Sequence, residues 1–546
     1  MKKIFTYAAI ICSFLISCNN NGQSNNDAEK DNKREKKKIT KRDFSVTPQN
    51  AYNDIFLDSN NVETFITEKK LPDSLVRRIR SFYNARNYQF AWFTSNGLTE
   101  QGLTFWNIHN YETFAGDTSL KNASLQKKMD NLVADSSFVV SASNKSMINT
   151  ELSLTVDFIK YTLGNYEKGY VKRKEMERFI PIKKEDPLAL ADSLLNKKHN
   201  DDKYFEDVNN AYKLLKVELN RYIDIAKNGG WQQLPADAKQ FKKGVSSQAI
   251  AVLKRRLQVI GEVPLSDSSL AFNDTLMMGI KRVQQAFGYK PDGIVTSSLI
   301  KDLNVPVQKR IEQILINMNR MRWMPHEPEG KLILVNIPEF VLHFVDGKNK
   351  VFDMNVVVGK EGNNTMMFTG KLSTVVFSPY WNVPQSIVEK EIMPKMASNP
   401  DYLANENMEI TGNEGGLPVI RQLPGEKNSL GKLKFLFPNS FNIYFHDTPA
   451  KSLFSKDKRA YSHGCIRLSD PVKMAEYLLK DNNAWPPEKI MEAMNSGEEK
   501  FVRIKDPIPV FITYYTAWVD ENGLLNFRDD IYKRDENVAE KMFVAK

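Results

Sequence analysis

The chain has 546 residues and a formal net charge of +10, which is too long for a single hydrophobic core and predicts two to four domains. Part of the positive charge comes from a lysine-dense stretch near the start, so we expect no nucleic-acid partner. The three cysteines are Cys12, Cys18 and Cys465. The first two fall in or at the end of an apolar leader, so no disulfide framework is expected.

The first residues predict an export signal. Two lysines precede the apolar run 4–16, which is too short to span a bilayer comfortably. The run ends at Leu15-Ile16-Ser17-Cys18, which resembles the bacterial lipobox, so we expect a signal peptide over 1–17 and lipidation of Cys18. This resemblance implies a lipid anchor in the cell envelope, on the periplasmic side. Asn19 favours the outer membrane, with the inner membrane open; an ordinary secretory signal or a short anchor helix is the alternative.

The next two segments differ in character. Residues 18–43 predict a disordered tether, because asparagine and lysine dominate and aromatic residues are lacking. Residues 44–240 predict a mainly helical scaffold with amphipathic stretches such as Leu75 to Tyr83. The aromatic cluster within 88–93 indicates a packed core. No catalytic spacing occurs in this region.

Residues 241–305 predict a small helical domain. Ser247 and Asp274 can each cap a helix that ends at a glycine. The order of the helices, with Gln-Gln-Ala-Phe-Gly-Tyr at 284–289 and Asp-Gly-Ile-Val-Thr at 292–296, resembles the peptidoglycan-binding domain found beside many cell-wall enzymes. A helical spacer with no affinity of its own is the alternative.

The pattern changes to strands after a connecting helix predicted over 306–330, with its apolar residues on one side and arginines on the other. Valine-rich runs and the hairpin signal Asp346-Gly347 predict a mainly β domain over 331–519. Residues 520–546 are expected to be a polar extension. The fold class is therefore multidomain α+β.

An insertion is predicted within the β domain over about 386–420. Ser386 and Glu389 match a capping box at the start of a helix. The polar stretch 397–418 after it is expected to be rich in loops. Such an insertion can be a lid over a site or a passive surface segment.

The chemistry concentrates in Ser462-His463-Gly464-Cys465-Ile466-Arg467 and in a histidine upstream of it. An unpaired thiol in an oxidising compartment is exposed to oxidation, so Cys465 is predicted to be kept for its reactivity. Tyr444 and His446 alternate along a predicted strand and should share a face, while Asp470 can start the following helix. An inert buried cysteine is the alternative.

A thiol becomes nucleophilic when an imidazole takes its proton, and N–H groups of a glycine turn can stabilise an oxyanion. We predict His446 as the general base, with His463 and Gly464 supporting the loop and the oxyanion. His463 as the base is the alternative. A zinc site is a competing interpretation, but no paired ligand motif occurs and only Asp447 is near, so we expect no metal and no cofactor.

His446-Asp447-Thr448 followed by Tyr461 to Leu468 resembles the active-site signature of the L,D-transpeptidases, whose catalytic domain is of the YkuD type. Trp381-Asn382-Val383-Pro384 and Arg421-Gln422-Leu423 resemble the large periplasmic subgroup, which has a scaffold domain, a peptidoglycan-binding domain and a capping insertion. Asp447 and Arg467 differ from the residues that small members of the family usually have at these positions, and they fit the large subgroup.

The resemblance implies acyl transfer on peptidoglycan stem peptides. Cys465 attacks the carbonyl of the third residue of a donor tetrapeptide, releases D-alanine and passes the acyl group to an acceptor amine, which cross-links the wall. It also implies that carbapenems acylate Cys465. The candidate substrate-binding residues are Tyr444, Trp381, Arg421, Ser462 and Arg467.

Two alternatives remain at this point. An L,D-carboxypeptidase or a cross-link-cleaving amidase uses the same thioester and resolves it with water. A wall-binding lipoprotein without catalysis belongs to a different class, and the pair of Cys465 and His446 argues against it.

Overall fold

The computed structural model describes residues 39–115, 118–134, 138–166, 180–195, 210–238, 241–324 and 330–544. Cys18 and the predicted signal peptide lie outside these residues. The last residues of the predicted tether do not fit that prediction, because Thr40 and Asp43 donate backbone hydrogen bonds to Ser81 and Asn84. None of the described helices is long and apolar enough to span a bilayer.

An N-terminal helical body surrounds a large aromatic core. Phe90, Trp92 and Phe93 are fully buried in it, so the aromatic run predicted as core is confirmed. A short hairpin with two residues in each strand, β1 (Phe93–Thr94) and β2 (Gly97–Leu98), packs against this core. The helices of the body are α1 Ser59–Glu68, α2 Asp73–Ala85, α3 Glu100–Ala115, α4 Ala123–Ala134, α5 Lys145–Tyr166, α6 Pro187–Leu195 and α7 Asn210–Lys227.

Three helices form a small unit with a separate core. They are α8 (Gln248–Val259), α9 (Asp274–Ala286) and α10 (Ser297–Leu303). Ser247 caps the first by accepting from the N–H of Ile250, as predicted. Asp274 does not cap the second: Asn273 has extended backbone and accepts from Leu276, so Asp274 is already the first helical residue.

The next helix, α11 (Val307–Met321), lies in the segment predicted as a connecting helix and is part of the core of the helical body. Its arginines are buried as well. Arg320 is 7 % exposed and pairs with Glu100 and Asp535, which compensates the burial of its charge. The arginine side of the helix is therefore buried as well, because acidic partners from distant segments cover it.

The β domain is one sheet that closes on itself. β5 pairs with β4 over its first half and with β13 and β12 over its second half, which joins the two edges. The order is β12-β5-β13-β11-β10-β6-β14-β3-β4. The strands are β3 Lys331–Asn336, β4 Val341–Asp346, β5 Asn349–Gly359, β6 Phe368–Phe377, β10 Leu433–Leu436, β11 Phe445–His446, β12 Ala460–Ser462, β13 Ile466–Leu468 and β14 Lys500–Thr513.

Two local features of this domain, a hairpin turn and a helix cap, were predicted from the sequence and are confirmed. The β4–β5 hairpin turns at Asp346-Gly347, as predicted. Short 3₁₀ segments follow β3 and β11, at Ile337–Glu339 and Lys451–Ser455. The helices α15 and α16 lie between β13 and β14, and Asp470 caps the first of them by accepting from the N–H of Lys473, as predicted. Their bounds are α15 Pro471–Leu479 and α16 Pro487–Asn495.

Residues 381–422, which we call the insert, have a small core of their own. The predicted capping box is wrong, because Pro384 precedes the helix and Ser386 lies inside it. The predicted loop-rich stretch is also wrong: β8 and β9 form a hairpin whose outer strand is mostly exposed, so apolar alternation is lacking. The elements are β7 Trp381–Asn382, α12 Gln385–Ile387, a π-helical turn Val388–Ile392, α13 Met393–Ser398, α14 Tyr402–Asn405, β8 Met408–Glu414 and β9 Leu417–Gln422.

The C-terminal segment is folded, in contrast to the predicted polar extension over 520–546. β15 (Ala517–Val519) and β16 (Leu525–Phe527) pair with each other and pack into the helical body, not into the closed sheet. The last helix, α17 (Arg534–Met542), buries Val538 and Met542 in the same core. The segment after 514 therefore returns the chain to the helical body.

Candidate active site

Five side chains share one face of three neighbouring strands. In the register, His446 lies opposite Lys434 of β10 and Arg467 of β13, while the residues on either side of these positions fill the core. Cys465 directly precedes β13, and the N–H of the next residue donates to the carbonyl of Tyr444 at 3.1 Å. Because successive side chains alternate between faces, all five point away from the core. We call Lys434, Tyr444, His446, Cys465 and Arg467 the strand-face cluster.

The loop before Cys465 is braced by its own side chains. The hydroxyl of Ser462 donates to the carbonyl of Cys465 at 2.6 Å and accepts from the N–H of Gly464 at 3.2 Å. Thr365 donates to the carbonyl of Gly464 at 2.7 Å. Gly464 has a φ of +114°, which only glycine adopts without strain. The loop is thus held in one conformation.

The oxyanion role predicted for Gly464 needs correction. Its N–H is taken by Ser462, whereas the N–H of Cys465 has no acceptor among the residues that the structure describes. A donor without a partner beside the nucleophile is what an oxyanion requires. The N–H of Cys465 is therefore the better candidate, and Gly464 provides the turn.

His446 is 4 % exposed and is oriented by the backbone. Its Nδ1 lies 2.5 Å from the carbonyl oxygen of Asp447. A carbonyl can only accept, so Nδ1 carries the hydrogen and Nε2 keeps a lone pair. Burial, reinforced by the positive charge of Arg467, lowers the pKa of His446 to about 3. The imidazole is therefore neutral at physiological pH and able to accept a proton.

The side chain of Asp447 does not orient the histidine. Its carboxylate accepts from the N–H of Lys432 at 2.9 Å and from Nζ of Lys451 at 2.6 Å. The carboxylate of Asp447 is thus engaged by one backbone N–H and one lysine, and not by the imidazole of His446. Across the described ranges, no three His, Cys, Asp or Glu side chains come together in a way that could hold a metal ion.

The thiol of Cys465 is held by polar neighbours. Sγ donates to the carbonyl of Asn442, 3.7 Å away, and the hydroxyl of Tyr444 bonds to the thiol. Burial raises the pKa of Cys465, although Tyr444, Lys434 and Arg467 oppose the shift. The resting pair is therefore a neutral thiol and a neutral imidazole, and the proton must move during the attack.

Two cations of the strand-face cluster act on the thiol, and neither forms an ion pair with a residue that the structure describes, although Glu499 lies near enough to Lys434 to influence its charge. Lys434 Nζ lies 4.0 Å from the centre of the Tyr444 ring, and burial lowers the pKa of this lysine. Arg467 Nε is buried and, within the described part of the chain, has no hydrogen-bond partner. Sequence reasoning missed Lys434. Its alternation with Leu433 and Phe435 was visible, but only the register with His446 brings it to the site.

The insert reaches the site at two points. Trp381 of β7 hydrogen-bonds to the hydroxyl of Tyr444, which in turn contacts the thiol of Cys465. His463 Nε2 lies 2.6 Å from Oε1 of Glu391, in the π-helical turn of the insert. Although its partial burial acts in the opposite direction, the bond to His463 lowers the pKa of Glu391. The loop of the nucleophile is thus tied to the insert.

Arg421 lies elsewhere on the insert. It is paired with Glu409 on the neighbouring strand and its guanidinium lies 4.3 Å from the centre of the Tyr380 ring. Both contacts stay within or next to the insert. Among the predicted substrate-binding residues, the structure therefore groups Tyr444, Trp381, Ser462 and Arg467 around Cys465 and holds Arg421 in a separate ion pair.

Comparisons with known proteins match two parts of the chain. Residues 330–507 match the YkuD family model, the L,D-transpeptidase catalytic domain, and residues 77–219 match the model of a scaffold domain. A curated Haemophilus influenzae protein named "Putative L,D-transpeptidase" is 32% identical over 246 residues, which are 42% of this chain and 50% of that protein. The chain thus spans about half the length of this relative.

Solved structures with similarity to the chain are also L,D-transpeptidases. The protein from Stackebrandtia nassauensis is 13% identical, covers 52% of this chain and 97% of its own, and has a TM-score of 0.21. The protein from Mycobacterium smegmatis is 16% identical, covers 34% and 58%, and has a TM-score of 0.18.

Proposed function

We propose that this chain, which carries a YkuD L,D-transpeptidase catalytic domain behind a scaffold domain, is a peptidoglycan L,D-transpeptidase with Cys465 as the nucleophile. The observation that carries the proposal is the strand-face cluster. It combines a thiol, a neutral imidazole whose Nδ1–H is held by a backbone carbonyl, and two cations that form no ion pair among the described residues. That combination suits attack on an amide carbonyl next to a carboxylate.

In the first step, the sulfur of Cys465 forms a bond to the third-residue carbonyl carbon of a donor tetrapeptide. Nε2 of His446 takes the thiol proton, and the N–H of Cys465 donates to the oxygen of the tetrahedral intermediate. The C–N bond to D-alanine then breaks, and the proton passes from His446 to the leaving amine. The products are free D-alanine and a thioester.

In the second step, an acceptor amine attacks the thioester. A new amide bond forms, the C–S bond breaks and His446 returns the amine's proton to the sulfur. No nucleotide is consumed, because the thioester conserves the energy of the cleaved amide. The terminal carboxylate of the donor meets Lys434 and Arg467, two cations that neutralise charge at the leaving group.

The surroundings of the domain complete the proposal. Lipidated Cys18 anchors the chain in the envelope, facing the periplasm, in the outer membrane in preference to the inner one. The unit of α8–α10 binds peptidoglycan and brings the catalytic domain to the wall. The insert caps the bound stem peptide through Trp381 and the Glu391–His463 pair, and a carbapenem acylates Cys465 in place of the donor.

The test uses protein lacking residues 1–17, incubated with disaccharide tetrapeptide. We expect D-alanine release and dimers joined through two third residues, identified by mass spectrometry, and neither product from Cys465→Ala. Tripeptide monomers alone from the native protein would make the enzyme a carboxypeptidase. Binding to peptidoglycan without any product would indicate a wall-binding protein without catalysis. Full activity of Cys465→Ala would show that Cys465 is not the nucleophile.

A further inference from the structure

A cleft of about 390 Å³ lies between the helical body and the β domain. One wall is the face of α3 between Trp106 and Thr113. The opposite wall is the start of β6, residues 368–371, together with the loop 438–441 between β10 and β11. We call this the interdomain cleft. It is distinct from the strand-face cluster, which contributes no side chain to its lining.

Direct hydrogen bonds fix the two walls against each other. Asn107 donates to the carbonyl of Met367 at 2.6 Å, and Thr369 donates back to the carbonyl of Asn107 at 3.4 Å. Ser440 donates to Asp130 of α4 at 2.9 Å. The cleft is therefore a built feature of the docked domains, with a shape that exists before a ligand arrives.

The lining is aromatic and hydrogen-bonding, with little charge. Among the described residues that line the cleft, Lys371 is the charged one, and it lies over the ring of Tyr111. Two polar atoms are buried without a partner among the described residues, Nε1 of Trp106 and Oγ1 of Thr113, and Trp106 is 1 % exposed. Buried polar atoms normally have partners, so two hydrogen-bonding groups on residues that line the cleft are left unsatisfied.

This chemistry fits an uncharged saccharide. A pyranose ring packs its C–H face on aromatic rings, and its hydroxyl and acetamido groups bond to side-chain amides and hydroxyls. A stem peptide carries carboxylates and an ammonium group, for which the lining offers few counter-charges. We infer that the interdomain cleft binds the N-acetylated glycan to which the donor peptide is attached.

The position of the cleft relative to the nucleophile supports this assignment. Asn439 in the cleft wall is three residues before Asn442, whose carbonyl contacts the thiol of Cys465. Three residues span at most roughly 10 Å, so this part of the cleft wall lies within the length of a short peptide from the thiol. A glycan in the cleft can thus present that residue to Cys465. The identity of the saccharide rests on the proposed function.

The test measures binding of peptide-free glycan oligomers to the chain lacking residues 1–17. Asn110→Ala and the nearly isosteric Thr113→Val are each expected to weaken binding about three- to tenfold, as for the loss of one hydrogen bond. Asn61→Ala, which changes a half-buried helix asparagine away from the cleft, is the matched control and should bind as the native chain does.

Hydrogen exchange of the loop 438–442 locates the ligand, since the small helical unit can also bind glycan. Protection of this loop by the oligomer in the native chain, and its loss in Thr113→Val, supports the inference. Native-like binding and protection in both cleft variants would overturn it, as would equal competition by a sugar-free tetrapeptide. Cys465→Ala should still bind the oligomer, so a failure of catalysis would not be mistaken for a failure of the cleft.

Discussion

Acidification from pH 8 to pH 5 is expected to leave the acylation rate of Cys465 nearly unchanged. Burial and the charge of Arg467 lower the pKa of His446 to about 3, so about 99% of the imidazole is still neutral at pH 5. A histidine with the usual pKa of about 6.5 would be only about 3% neutral there. The acylation rate would then fall roughly thirtyfold, because a protonated imidazole cannot act as a base.

The alkaline side of the profile is governed by the thiol. Because burial raises the pKa of Cys465, the thiol keeps its proton throughout this range and no rise is expected up to pH 8. The substrate carboxylates titrate at about pH 4 or below and do not enter the window.

The assay is single-turnover release of D-alanine, which precedes the acceptor amine and is free of its ionisation. The second-order rate constant should vary less than about twofold between pH 5 and pH 8. His446→Gln should lower it by at least about a hundredfold at every pH, the range usual for a lost general base. An acidic limb with an apparent pKa near 6.5 in the native protein would refute the assignment of a buried neutral imidazole.

Three further substitutions probe the neighbours of the thiol. Lys434→Met should lower kcat about three- to tenfold, because a cation near the developing thiolate is lost. Lys500→Met, which removes a lysine that lies over another aromatic ring, is the control and should leave kcat unchanged. Equal kcat values for the two variants would contradict the role of Lys434. Glu391→Gln should raise KM about two- to fivefold, because a hydrogen bond between two partly exposed side chains contributes about 1 kcal/mol. Exposed Glu389→Gln is the control, and matching KM values would show that the contact between Glu391 and His463 does not hold the insert. Ser462→Ala should lower the free energy of unfolding in urea by about 1–3 kcal/mol and lower kcat more than tenfold, because two backbone groups of the loop lose their hydrogen-bond partner. A variant with native stability and native kcat would show that Ser462 does not brace the loop.

Local sequence signals predicted the parts of the site that depend on neighbouring residues. The shared face of Tyr444 and His446 follows from strand alternation, and the cap at Asp470 follows from its position before a proline. The glycine turn before Cys465 is likewise a local property. These features need no knowledge of which strands pair.

The remaining parts depend on contacts between distant segments. Lys434 reaches the cluster only through the register of β10 against β11, and a slip of one residue would turn it into the core. Glu391 and His463 are 72 residues apart, and no local pattern links them. The hairpin of β8 and β9 was missed because its outer strand is exposed on both faces, which removes the alternation that marks a strand.

The C-terminal segment illustrates the same limit. Residues 520–546 are mostly polar, so their composition predicted an extension. The few apolar side chains at helical spacing, Val538 and Met542, nevertheless pack into the helical body more than two hundred residues away in the chain. Likewise, no local pattern shows what neutralises the arginines of α11, and only the fold brings Glu100 and Asp535 to Arg320.

The acyl-enzyme itself tests the central claim most directly. Protein lacking residues 1–17 is treated with a carbapenem, and its intact mass and proteolytic peptides are measured by mass spectrometry. One adduct per chain is predicted, on the peptide that contains Cys465, with none on Cys465→Ala. An adduct on another residue, or one that persists in Cys465→Ala, would contradict the assignment of Cys465 as the nucleophile.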